Sequence, residues 1–144
     1  MREKKTGEKV LAKIIDGKKI SQNKLETAKK KATQLKNKGV HIGLAIVQIG
    51  ENEASSIYIQ KKLKMAQEIG IKTKFLKMAQ NTEFRMLMHK INELNDDREI
   101  SGIIIQMPIP HHLNQLDVLT LVAPQKDVDG FHPQNQGRLF AGQP

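Results

Sequence analysis

Cysteine and tryptophan are both absent from the 144 residues, and the aromatic complement is one tyrosine and four phenylalanines. Without cysteine there are no disulfides, no thiolate nucleophile and no Cys-based zinc site. So few rings leave few platforms on which unpaired bases could stack, which argues against a binder of single-stranded nucleic acid. No apolar run approaches the roughly 20 residues of a membrane span. The opening MREKKTGEKV lacks the apolar stretch of a secretory signal. It is also a poor transit peptide, because Glu3 and Glu8 interrupt its basic residues and it contains no serine. These absences lead us to expect a cytoplasmic protein with no membrane partner. The length fits one domain, and a domain of this size buries roughly 70% of the surface its unfolded chain exposes.

Positive charge is plentiful but local. The net charge is +9, and residues 1–40 carry 13 Lys/Arg against 4 Asp/Glu, whereas residues 41–144 carry 11 of each. A basic arm for a polyanion is one reading of this excess. A solvated, lysine-rich helix face is the plainer one and is preferred. Residues 1–11 read as a polar N-terminal extension.

Along the rest of the chain, apolar periodicity alternates between helix and strand. Leu25, Ala28, Ala32 and Leu35 recur at spacings of three and four, which predicts an amphipathic helix over 21–38, after a turn at Asp16-Gly17. IGLAIVQI, residues 42–49, reads as a buried strand. A second helix over 53–69, a strand over 71–78, and a helix capped by Thr82 with Phe84, Leu87, Met88, Ile91 and Leu94 as its apolar face follow. The run 102–106 (GIIIQ) reads as a third strand, residues 113–122 as a shorter helix, and the remainder as loop. Strands alternating with helices imply an α/β fold with a mainly parallel sheet. No element follows the final AGQP, so the sequence reads as cut before its natural close.

The second helix carries an anomaly. Ile59, Lys62, Ala66 and Ile69 form one stripe at helical spacing, so a lysine stands where an apolar residue is expected, with Ser55 and Tyr58 on the same side. A charge facing a sheet is costly unless it is paired or neutral. Either Lys62 snorkels out past the stripe's edge, or it works at the carboxyl edge of the sheet, where open α/β sheets bind ligands. The third strand ends at the same edge in Gln106, stopped by Met107-Pro108-Ile109-Pro110. Asp127 and Asp129 in the turn KDVDG offer carboxylates for the N–H groups of a flat heterocycle, or simply make a turn. No third hard ligand has useful spacing, so no metal is expected. His111, His112 and His132 lack the spacing of a zinc site and read as surface or capping residues. GENEAS, after the first strand, contains no glycine-rich nucleotide motif.

These residues occur in a telling order: Ser55-x-x-Tyr58-x-x-x-Lys62, then GIIIQMPIP over 102–110, then KDVDGFHP over 126–133 with Asn135-x-Gly137-Arg138-Leu139. Together with Lys13-Ile-Ile-Asp16-Gly17-Lys18 they resemble the bifunctional methylenetetrahydrofolate dehydrogenase/methenyltetrahydrofolate cyclohydrolase family over about residues 12–144. Met107 stands where leucine is usual. The resemblance implies that residues 12–144 are the folate-binding catalytic domain, a three-layer αβα unit that faces a Rossmann domain across a cleft. This sequence does not contain that Rossmann domain, nor the Pro-Cys-Thr-Pro segment before it. The resemblance further implies that Lys62 is the catalytic lysine, that Gln106 supports it, and that Tyr58 stacks on the folate. Asp129 is then the pterin-binding carboxylate, Ser55 a helper near the lysine, and Ile105, Met107 and Pro108 further folate-binding positions.

The implied activity belongs to one-carbon metabolism. Hydride passes from 5,10-methylenetetrahydrofolate to NADP (or NAD), and water then opens the methenyl product to 10-formyltetrahydrofolate. The second step needs a base. A free lysine has a pKa of about 10.4 and a useful base lies near 7–8, a gap that burial and a nearby cation are able to close. The family is homodimeric, with a monomer an open alternative for this length of chain. Two rival readings stand beside this one: a non-catalytic folate-binding fragment, and a basic nucleic-acid-binding domain whose affinity would fall steeply with salt. Because no glycine-rich strand-to-helix turn is present to receive a pyrophosphate, the 144-residue chain incubated with methylenetetrahydrofolate and NADP or NAD should show no rise in reduced-nicotinamide absorbance. Turnover above background by a chain of confirmed mass would overturn that expectation.

Overall fold

The computed structural model describes residues 14–143; the extension over 1–11 and Lys13 lie outside the described residues. In chain order the elements are α1 (Gly17–Asn37), β1 (Gly43–Ile49), α2 (Glu53–Glu68), β2 (Lys72–Met78), α3 (Phe84–Asp96), β3 (Gly102–Ile105), α4 (Gln115–Leu119), a 3-10 turn (Pro124–Lys126) and α5 (Pro133–Phe140). The strands form a parallel sheet of order β2-β1-β3. Beyond β3, Asp127 makes one further parallel bridge to Ile103, so the chain leaving the 3-10 turn runs along the sheet's far edge.

Alternation along β1 divides the core in two, because successive side chains of a strand point to opposite faces. Ile46 joins Ile59 of α2 and Ile104 of β3 on one face, with Leu44 and Leu63 packed against them. Ala45, Val47 and Ile49 join Leu87, Ile91 and Leu94 of α3, Ile103 and Ile105 of β3, and Val118 of α4 on the other. The expected three layers are therefore present: α2, the sheet, and α3 with α4. Each fully buried aliphatic side chain, such as Ile46, Ile59, Leu87 or Ile91, contributes about 1.5–3 kcal/mol. The edge strand β2 is mostly exposed. Its lysines Lys72, Lys74 and Lys77 pair with Glu99, Asp97 and Glu51, the kind of charged edge that discourages strand-to-strand association.

Several local expectations are corrected. Helix α1 begins at Gly17, four residues before the start expected at residue 21, because the Asp16 carboxylate accepts a hydrogen bond from Lys19 N at 3.1 Å and caps it. Asp16-Gly17 is thus a helix start rather than a turn. Thr82 does not cap α3: its hydroxyl donates backwards to Ala79 O at 2.7 Å, and the capping position is Glu83, without a side-chain bond. The stretch after Asp129 is not all loop. Pro133 opens α5, and His132 Nδ1 accepts from Gln134 N at 3.1 Å. Periodicity missed α5 because its apolar residues, Leu139 and Phe140, come only at the end and lie exposed.

Two cross-links hold the far edge. Asn95 on α3 donates to Leu121 O and accepts from Ala123 N. Lys126 donates to Leu94 O at 3.1 Å and Asp97 O at 2.8 Å, placing a cation on the carbonyls that close α3. Charge-assisted bonds of this kind are worth roughly 1.5–3 kcal/mol. Lys126→Met, which keeps the stem and removes the donor, should therefore destabilise the protein by about 2 kcal/mol, read as a lower urea midpoint at unchanged slope. A midpoint equal to the parent's would show that the two carbonyls do not depend on Lys126.

Candidate active site

The site is built on the carboxyl edge of the sheet. Chain leaving β1 passes Gly50 and Glu51, and Asn52 caps α2 by accepting from Ser55 N at 2.9 Å. The helix then runs back across the sheet with Ser55, Ile59 and Ala66 buried and Lys62 half-buried on the same side. Lys62 Nζ donates to Gln106 Oε1 at 3.0 Å. Gln106 Nε2 donates to Met107 O at 2.9 Å, and Ser55 Oγ donates to the same carbonyl at 3.2 Å. Ser55, Lys62, Gln106 and Met107 thus form one hydrogen-bonded cluster from three places in the sequence. The Lys62 ammonium neither lies in the core nor escapes to solvent.

Tyr58 lies one helical turn from both Ser55 and Lys62. Its ring is 62% exposed, and Lys61 Nζ lies 5.9 Å from the ring centre. The exposed face is available for stacking. Pro108 is exposed beside the cluster and Met107 half-buried. Ile105 is the exception among the expected positions. Its side chain is buried on the opposite face of the sheet, within the α3-side core, because strand alternation puts residue 105 opposite to residue 106. At this edge Ile105 therefore presents its backbone, with its side chain on the far side of the sheet from Lys62.

The two aspartates have different roles. Asp127 is turned into its own loop, where its oxygens accept from Gly130 N, Phe131 N, His132 N and Asn135 Nδ2 at 2.9–3.2 Å. Partial burial pushes its pKa up, but these hydrogen bonds outweigh it and the net shift is downward. Asn135 also donates to Pro124 O at 2.8 Å and ties α5 to the 3-10 turn. Asp129 accepts no hydrogen bond among the described residues. Loss of water around its carboxyl group raises its pKa; the Lys62 ammonium opposes this and Asp127 adds to it. A carboxylate without partners, within electrostatic reach of Lys62, is suited to receive N–H groups of a ligand. Gly102 leaves room for this loop: a Cβ there would press on Val128 Cγ2, and the Val128 side chain would have to turn away from β3.

Sequence reading missed the structural work of Asp127 and Asn135. The KDVDG turn showed two carboxylates, but nothing in its composition told which one faces inward. His111 is exposed, and His112 Nε2 lies 2.8 Å from Thr82 O. Among the described residues no three His, Asp or Glu side chains gather as a metal site. Nor do the described residues fit a dinucleotide. The N-terminus of α2 is already capped by Asn52 and carries Glu53 in its first turn, with Glu51 beside it, charges that repel a pyrophosphate. The broad depression along α1, lined by Glu26, Lys29, Lys30, Thr33 and Gln34, contains none of the clustered groups.

With the geometry in place, comparison with known proteins decides the family. The profile of the tetrahydrofolate dehydrogenase/cyclohydrolase catalytic domain matches residues 15–129. The chain belongs to this family. Among curated relatives, the bifunctional protein FolD of Anoxybacillus flavithermus is 40% identical over 132 residues, 92% of this chain and 47% of that protein. FolD of Rickettsia akari is 45% identical over 130 residues, 90% of this chain and 44% of that protein. The chain therefore spans about half the length of the curated relatives it matches. Among solved structures, the bifunctional FolD methylenetetrahydrofolate dehydrogenase/cyclohydrolase of Campylobacter jejuni superposes with a TM-score of 0.87 at 39% identity, over 89% of this chain and 45% of that one. The 5,10-methylenetetrahydrofolate dehydrogenase of Bombyx mori gives 0.89 at 31% identity, over 93% and 47%.

Within this FolD-type domain the loop that carries Asp129 should be acid-sensitive. Asp127 has a folded pKa below its unfolded value of about 3.9, so between the two values the unfolded chain binds more protons. Its contribution is complete above the unfolded pKa and is lost as pH falls through the folded one. Asp127→Asn should lower stability at pH 7 and flatten the acid limb of the stability curve below pH 4, measured by urea denaturation across pH. An unchanged acid limb would mean that these hydrogen bonds do not distinguish the charged carboxyl group from the neutral one.

Proposed function

We propose that this chain is the folate-binding catalytic half of a bifunctional enzyme. The enzyme oxidises 5,10-methylenetetrahydrofolate to the methenyl compound with NADP (or NAD) and hydrolyses that product to 10-formyltetrahydrofolate. The observation that carries the reading is the Lys62 Nζ–Gln106 Oε1 bond of 3.0 Å at the carboxyl edge of the sheet, with the Asp129 carboxylate in the electrostatic field of that ammonium. A folate fits this arrangement by chemistry. Asp129 accepts from the pterin's amino and ring N–H groups, and the exposed ring of Tyr58 stacks on the flat heterocycle. Lys62 then lies where the one-carbon bridge is held.

In the hydrolytic step a water oxygen bonds to the bridging methenyl carbon and gives its proton to the amine of Lys62. The bond from that carbon to N5 then breaks as the hydroxyl on the carbon becomes the formyl C=O; the hydroxyl proton passes to N5, the formyl group stays on N10, and the proton taken up by Lys62 is released to solvent. Gln106 keeps the lysine aimed, and Ser55 with Met107 O keeps Gln106 in place. The nicotinamide, when bound, supplies the hydride acceptor for the oxidation. The described residues offer its pyrophosphate no glycine-rich turn, so we assign the dinucleotide to protein elements other than these. The Trypanosoma brucei relative, 26% identical over 89% of this chain, was solved with NADP and an inhibitor.

The lysine excess on α1 is spread over exposed faces, which favours a solvated surface over a nucleic-acid site. No described helix is long and apolar enough to cross a membrane. We place the enzyme in the cytoplasm, with the homodimeric assembly that the family resemblance implies.

Hydrolysis of the methenyl compound consumes only water, so it reads the role of Lys62 as base without a nicotinamide. Lys62→Met should cut it by at least 100-fold, within the 10²–10⁴ typical of a positioned base, while the Kd for tetrahydrofolate by calorimetry moves less than threefold. Asp129→Ala should do the reverse and weaken tetrahydrofolate about tenfold or more, since buried N–H groups of the pterin lose their acceptor. Parental hydrolysis in the Lys62 variant, or parental affinity in the Asp129 variant, would sink the corresponding assignment.

A further inference from the structure

One buried polar group has no role in the cluster described so far. Gln48, the penultimate residue of β1, is 4% exposed, and its Nε2 has no hydrogen-bond partner among the described residues. Buried amides are nearly always satisfied, and one left unmade is costly. A leucine would fill the same space in a strand that is otherwise wholly apolar.

Its position explains it. Ile46 pairs with Ile104 and Val47 with Ile105 across the parallel β1–β3 ladder, and the ladder continues one step as Gln106 N donates to Val47 O at 2.8 Å. Leu44, Ile46 and Ile104 face α2. By strand alternation Gln48 and Gln106 face α2 as well, side by side at the next register position, on strands about 4.8 Å apart. Glutamines stacked in register on parallel strands form amide ladders, the N–H of one donating to the oxygen of the next. Gln106 Oε1 accepts from Lys62, and a carbonyl oxygen has a second lone pair. The amide of Gln106 also has two orientations half a turn apart. In the other one its NH₂ group would face the Lys62 ammonium, donor against donor.

We propose that Gln48 is a positioning residue for Gln106. Its Nε2 donates to the second lone pair of Gln106 Oε1 and locks that oxygen toward Lys62. Gln48 touches neither substrate nor Lys62 and acts only through Gln106. The inference rests on reading Lys62 and Gln106 as the working pair, but its main test needs no folate.

The test uses the labelled 144-residue protein and the NMR signals of its side-chain amides. In the parent, Gln48 Nε2 protons should exchange with water at least tenfold more slowly than those of exposed Gln60 and Gln67, and show a cross-relaxation peak to the Gln106 amide. In Gln48→Met, similar in length but without the donor, the Gln106 amide should shift and exchange at least tenfold faster, while Ile46→Val on the same strand face leaves it unmoved. Methenyl hydrolysis by Gln48→Met should fall in kcat at unchanged KM. Fast exchange and no cross-peak in the parent would overturn the proposal even if the variant fails to fold. So would a Gln106 response no larger than that of Ile46→Val. Folate binding that persists while Gln106 ignores Gln48 would defeat this inference alone; an intact amide ladder in a protein that binds no folate would defeat the functional reading alone.

Discussion

The site depends on the parallel register between β1 and β3. With Ile46 opposite Ile104 and Val47 opposite Ile105, Gln106 is delivered to the α2 side of the sheet, directly beneath Lys62. A slip of one residue would send Gln106 to the α3-side core and Ile105 under the lysine. The register is protected by burial on both faces, since every residue of β3 and all but one of β1 are buried. A slip would therefore misplace the apolar side chains of two cores at once. The lysine–glutamine bond is a product of that packing and does little to create it.

A second constraint acts on the other wall. The chain after the 3-10 turn is pinned by Lys126 on the carbonyls of α3, by the bridge between Asp127 and Ile103, and by the hydrogen bonds gathered on Asp127. Asp129 stands two residues beyond the bridge and accepts no hydrogen bond among the described residues, its charge disfavoured by lost water and eased by Lys62. One aspartate is used up inside the loop, and the other, exposed, is left facing outward.

Legibility from sequence followed the strength of local signals. Alternating strands and helices, the apolar face of α3 and the misplaced lysine of α2 all rest on side-chain periodicity, and the structure holds each of them, although on α3 only Leu87, Ile91 and Leu94 are buried while Phe84 and Met88 are exposed. Thr82 and α5 failed for local reasons as well. A hydroxyl that bonds backwards and one that caps look identical in sequence, and α5 is too short and polar to show a period. Ile105 was assigned with its neighbours in the motif, although alternation alone would have turned its side chain away.

The sequence by itself determined the family, the α/β class and the residues worth attention, because motif order and periodicity are properties of the chain. It also placed the positive charge on the first forty residues. Tertiary structure alone decided which of those residues meet. Ser55, Lys62, Gln106 and Met107 are joined by contacts that span up to 52 positions, and the separate fates of Asp127 and Asp129 follow from how one loop lies against β3. Such choices are made by packing and register, which act between segments and leave no mark within any one of them.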